Sequence, residues 1–150
     1  MGGRHPPKRT HRRSRKGLLR PHPGNCAGAV YNTNGTLDSS FGLNGLVIDD
    51  TRLIEPRALV IDQQQRLVVG GHGYPTAVSP FYHFAVRRFL QNGAGDDSFV
   101  PPSGSITPLP FLSLYDGIRG LAIQPDGKIV AAGVTDDGLD VVYALARYEP

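Results

Sequence analysis

Three blocks of sequence occur twice in this chain, in the same order and about 60 residues apart. Tyr31-Asn-Thr-Asn-Gly-Thr-Leu-Asp-Ser-Ser-Phe41 returns as Phe89-Leu-Gln-Asn-Gly-Ala-Gly-Asp-Asp-Ser-Phe99, at an offset of 58. Arg57-Ala-Leu-Val-Ile-Asp-Gln-Gln-Gln-Arg-Leu-Val-Val-Gly-Gly71 returns at 119–133, an offset of 62, and Phe84-Ala-Val-Arg-Arg-Phe89 returns as Tyr143-Ala-Leu-Ala-Arg-Tyr148, an offset of 59. A fixed period with drift confined to the intervening segments is the signature of a tandem duplication. It constrains the fold more than any composition figure, because each repeat must be one supersecondary unit that buries a face against its neighbour.

The repeat itself is written in strands. Leu121 and Ile123 alternate with small or polar residues, the period of a half-buried strand. Pro125-Asp126-Gly127-Lys128 supplies a turn, and Ile129-Val130-Ala131 starts the next apolar run. Asn-Gly at 34–35 and 92–93 marks further hairpin turns. No apolar stripe in helical phase persists beyond about two turns, and nineteen glycines with thirteen prolines disfavour helix interiors. The expected strands in the first copy are 46–48, 58–62, 66–70 and 84–90, with a short piece near Ser98-Phe99. Residues 71–80, 101–110 and 133–140 are expected as loops.

The charge is divided. Residues 1–24 hold eight Lys or Arg and no acid, leaving eight basic residues against thirteen acids in the remainder. So the body is mildly acidic and the basic pI belongs to a tail, residues 1–25. That tail is too poor in aliphatic residues to bury a core and is read as disordered. Nucleic-acid contact through it is a secondary reading, resting on electrostatics alone. No apolar run approaches the ~20 residues of a bilayer span, and Leu18-Leu19 is too short an apolar core for a secretory signal.

With those residues set out, the chain resembles the delta-60 repeat family of bacterial proteins. That family's pattern is similar to 119–133, to 144–148 and to 31–42. The central copy departs from it, with Gln63-Gln64-Gln65 at the Pro-Asp-Gly position and Val100 in place of a glycine after Phe99. The resemblance covers about residues 26–150. It implies tandem blades of a propeller-like assembly, often in secreted or surface proteins, and it implies no activity.

The expected architecture is all-β: about two tandem blade-like antiparallel units, a partial β-propeller, at about 26–88 and 89–150 behind the basic tail. Closed propellers usually have four to eight blades, so the chain is read as a fragment, a truncated product or a unit that self-associates or joins further repeats through its open blade edges.

No catalytic, cofactor or metal-binding residue is assigned. Asp136-Asp137-Gly138-Leu139-Asp140 lacks the spacing of a calcium loop. Asp38, Asp96 and Asp126 are expected to bond local backbone. Arg57 and Arg119, like Arg88 and Arg147, recur and are expected in structural ion pairs or carbonyl contacts. His72 and His83 are expected in loops without metal partners, and Cys26 as a small hydrophobe. Ser79, Ser98 and Ser103 lack a nucleophile elbow. Tyr31, Phe89 and Tyr148, with Phe41 and Phe99, are expected in an interstrand or interblade core. The function expected is a non-catalytic scaffold or binding module that meets partners through 71–82, 101–117 and 134–141. A metal-dependent hydrolase or lactonase of propeller type is the alternative.

Overall fold

A computed structural model describes residues 26–49, 55–74, 81–99, 105–107, 115–136 and 138–150. The basic tail, with its expected disorder and nucleic-acid contact, lies outside the described residues, as do Ser79 and Ser103. Nine strands and no helix occupy the described residues, so none of them forms a helix long and apolar enough to cross a membrane. The strands are β1 (Cys26–Ala29), β2 (Leu46–Asp49), β3 (Glu55–Ile61), β4 (Leu67–Gly73), β5 (His83–Phe89), β6 (Ser105–Thr107), β7 (Tyr115–Ile123), β8 (Ile129–Asp136) and β9 (Val141–Tyr148). They form three antiparallel sheets, β1-β2, β3-β4-β5-β6 and β7-β8-β9. The all-β, blade-like expectation holds. By repeat equivalence β1, β5 and β9 correspond, as do β2 and β6, β3 and β7, and β4 and β8. The four-stranded sheet is one whole blade, β7-β8-β9 the matching three strands of the next, and β1-β2 the outer half of another.

The duplication extends to irregular backbone. Pairing slips between Pro56 and Ala58 and again between Ile118 and Gly120, so a bulge surrounds Arg57 and its counterpart Arg119. Across each bulge the partner strand comes close at a glycine. A Cβ on Gly71 would lie 1.7 Å from the Glu55 carbonyl, and one on Gly133 would lie 2.0 Å from the Gly117 carbonyl. Only glycine fits these equivalent positions, because backbone on the far side cannot swing away.

The β3–β4 turn shows what drift leaves intact. Gln65 has φ +59° where its twin Gly127 has +87°. The left-handed conformation is tolerated because the Asp62 carboxylate takes over the turn chemistry of Pro-Asp-Gly. It accepts bonds from the Gln64 amide at 2.9 Å, the Arg66 amide at 2.8 Å and Arg66 Nε at 2.6 Å. Gln65→Gly is therefore expected to stabilise the fold by about 0.5 kcal/mol, the relief of left-handed strain exceeding the entropy cost of glycine. A small rise in Tm on thermal denaturation checks it.

Several boundaries move. β4 runs three residues further than expected, to Gly73, and β8 runs to Asp136. Ser98-Phe99 is a turn, closed by the Ser98 hydroxyl and amide on the Asp96 carboxylate at 2.6 and 3.1 Å. The outer strand lies instead at β6, inside the stretch read as a Pro/Ser-rich loop, where it pairs with Phe84–Val86.

Alternation gives each blade two packing faces. One face of the whole blade carries Val68, Phe84 and Val86. These pack with Ile118, Ile129, Ala131 and Ala144 of the next blade in the main core, with Leu121, Ile123, Ala146 and Tyr148 at its margin. The opposite face carries Val69, Ala85 and Phe89, which pack with Val47 of β2. Two of the recurrent arginines stand in ion pairs, Arg88 with Asp96 and Arg57 with Glu55 at 3.2 Å. Arg88 is buried, with its Nε 2.8 Å from Asp96 and its guanidinium 4.3 Å over the Phe99 ring. Arg147, its counterpart, is exposed, and so are Arg57 and Arg119. Arg87 ties the whole blade to the half blade through Asp49 at 3.0 Å. Phe41 and Phe89 are buried as expected, whereas Tyr31 is 62% exposed.

Candidate binding cleft at the junction of two blades

The strand ends at one side of the main core make a cleft of about 330 Å³. It is lined by Glu55, His72, Tyr82, Tyr115, Asp116 and Arg119, among others. Residues from all three unlike stretches reach it or its wall: His72 and Tyr82, then Tyr115 and Asp116, then Val134.

Backbone stitching fixes the cleft. Tyr82 and Tyr115 form a parallel bridge, and the Asp116 amide donates to the Tyr82 carbonyl at 2.9 Å, joining the two blades directly. The His83 ring then meets the Asp116 carboxylate at 3.1 Å (Nδ1 to Oδ2), with the carboxylate fully buried. Beside it, Thr135 is buried with its hydroxyl lacking a hydrogen-bond partner among the described residues. His72 Nε2 lies 3.3 Å from Glu55 Oε2. Both histidines are on strands, not in loops as expected, and each faces a carboxylate that sequence spacing does not reveal. Asp116 is 33 residues from His83. The visible trace was only that these stretches differ between the repeats.

An aromatic group completes the wall. The Tyr82 ring lies 4.7 Å from His72 edge-on, 4.5 Å from Tyr74 and 5.5 Å from Tyr115 between centroids. Burial holds the His72 pKa below its ordinary 6.5, against the pull of the Glu55 carboxylate, and Arg57 and Arg119 push it lower still. His72 is thus a neutral imidazole at pH 7, and its contact with Glu55 is a hydrogen bond more than an ion pair. The hydrogen bond to Tyr82 is the largest influence pushing the Tyr74 phenol up to about 12. The cleft therefore offers aromatic faces, phenol hydroxyls, a neutral imidazole, a carboxylate and a guanidinium.

The other sequence candidates have local partners. Asp136 accepts the Gly138 amide at 2.8 Å and Asp126 accepts the Lys128 amide at 3.2 Å. Asp38 accepts both the Ser40 amide and hydroxyl. Ser98 sits in the Asp96 turn, and Cys26 opens β1. Among the described residues no group of three or more His, Cys, Asp or Glu side chains is placed to hold a metal.

Comparison with protein families matches residues 66–99 and 124–150 to a β-propeller domain of unknown function, DUF5122. The two segments are the same part of the repeat, β4 to the Asp96 turn and β8 to the end of β9. The chain is built from propeller-like β repeats. Comparison with curated proteins finds no match. Within a propeller-like repeat, the cleft lies where two blades meet, a position at which ligand sites can be built from several strands without disturbing the blade cores.

Proposed function

We propose that the chain is a non-catalytic, propeller-like module of the delta-60 type that binds a partner through the cleft at the blade junction. One observation carries this reading. Six cleft positions that hold polar or aromatic side chains hold aliphatic or small ones in the twin repeat, while Arg119 keeps its twin Arg57. His72 corresponds to Val134, Tyr82 to Val141, His83 to Val142, Tyr115 to Leu53, Asp116 to Ile54 and Glu55 to Gly117. Residues that shape the repeat itself recur in both copies, as the bulge glycines do. A specialised surface is expected to be unique to one. Neither histidine meets a hydroxyl or thiol nucleophile among the described residues; both meet carboxylates, which favours recognition over acyl transfer.

The test converts the cleft to its twin. The full chain and the variants His72→Val and Tyr115→Leu are screened on immobilised peptides and oligosaccharides, and assayed with ester and lactone substrates. The reading expects a selective binder whose affinity falls tenfold or more in the variants, with Tm nearly unchanged and no turnover. Binding unaffected by both substitutions, or turnover abolished by them, overturns it.

A further inference from the structure

The chain's own blade junction specifies what covers a blade face. Phe84 and Val86 of the whole blade are 0% and 1% exposed. On the next blade's side of that core stand Ala144, Ala146 and Tyr148, alternate residues of β9 on one face. The same Ala-x-Ala-x-Tyr pattern stands in and just after β1 as Ala27, Ala29 and Tyr31. There it is exposed, with Ile48 and Leu46 of β2 paired beside Ala27 and Ala29 on the same side. At the far end of the described strands, the counterparts of Phe84 and Val86 are Tyr143 and Leu145, 95% and 73% exposed, with Val141 exposed in line. One molecule therefore presents one side of an interface that it already makes once internally, and the outer part of the other side.

We infer that a second copy of this chain docks head to tail, its Ala27-Ala29-Tyr31 face on the Tyr143-Leu145 face of the first. The contact continues the outer part of the internal blade packing by one more step, with Ala27, Ala29 and Tyr31 taking the places of Ala144, Ala146 and Tyr148. It is heterologous: the two faces are different surfaces, and repetition generates a ring or a filament according to the rotation per step. β1-β2 supplies the outer half of a blade, so the contact is smaller than the internal one and reversible. It is independent of the cleft.

Sedimentation velocity of the full chain tests this, from low micromolar to near-millimolar concentration. The weight-average mass should rise from 16.2 kDa towards twice that and beyond. Tyr31→Asp and Leu145→Asp should each hold the chain monomeric, with unchanged far-ultraviolet circular dichroism and Tm. An equimolar mixture of the two variants retains one intact pair of faces and should give a dimer that grows no further. A wild-type chain that stays monomeric throughout overturns the inference. So does association abolished by Leu145→Asp yet indifferent to Tyr31→Asp, which would mean that like faces pair by a two-fold axis.

Discussion

Phe84→Ala is expected to destabilise the chain by about 3–5 kcal/mol, while Tyr143→Ala, at the equivalent position of the next repeat, changes stability by less than about 0.5 kcal/mol. The residues share a place in the repeat and differ in cover. Phe84 is fully buried among Val68, Val86, Ile118 and Ile129, so its removal forfeits transfer free energy and leaves a cavity between two sheets. Tyr143 stands in solvent. Thermal denaturation of both variants, at concentrations where the chain is monomeric, should show a fall in Tm of roughly 10–20 °C for the first and almost none for the second. Comparable losses at the two sites would mean that Tyr143 is packed in the monomer.

Asp96→Ala is the second large effect, a loss of about 3 kcal/mol or more. Asp96 is buried and faces two guanidiniums, Arg88 at 2.8 Å and Arg66 at 3.6 Å. Removing it leaves the Arg88 charge buried without its counterion, which costs more than the pair was worth. Asp96→Asn, which keeps hydrogen-bonding capacity, should lose less. Asp38→Ala, in the same turn of the preceding repeat, should lose far less, because among the described residues the Asp38 carboxylate holds Ser40 and no guanidinium. Chemical denaturation of the three variants orders them. The pair also gives an acid limb. Burial pushes the Asp96 carboxyl up, but the Ser98 and Arg88 hydrogen bonds together outweigh it and hold the pKa below 3.8. A carboxylate depressed in the folded state contributes stability at pH above its unfolded value and loses it as pH falls through the folded one. The wild-type chain should therefore lose this contribution below about pH 4, and Asp96→Asn should show a flatter profile there.

Much of the blade was legible because its information is local. Alternation in 119–133, Asn-Gly turns and repeated aromatics each specify a hairpin without reference to distant chain. Equivalence between copies even separates what a turn needs from what it usually has: Gln63-Gln64-Gln65 keeps the shape because Asp62 bonds the backbone that Pro-Asp-Gly would otherwise order. What escaped is non-local. β6 is a three-residue strand whose order comes from pairing with β5, so its own composition reads as loop. The His83–Asp116 pair is made when the blades dock, and nothing in the spacing of the two residues announces it. Tyr31 was expected in a core because an aromatic recurs at its position as Phe89 and Tyr148. Its position in the repeat was right, but the face that carries it is uncovered. Periodicity tells which residues share a face, and only the assembled sheets tell which faces meet.

Two blades pack face to face through Phe84, Val86, Ile118 and Ile129. Nuclear Overhauser effects between the methyl groups of Val68 or Val86 and those of Ile118 or Ile129 test it most directly. The packing described predicts strong cross-peaks between these pairs, persisting in dilute samples where the chain is monomeric. Their absence, with each hairpin's internal cross-peaks intact, would mean that the blades fold separately and do not share this core.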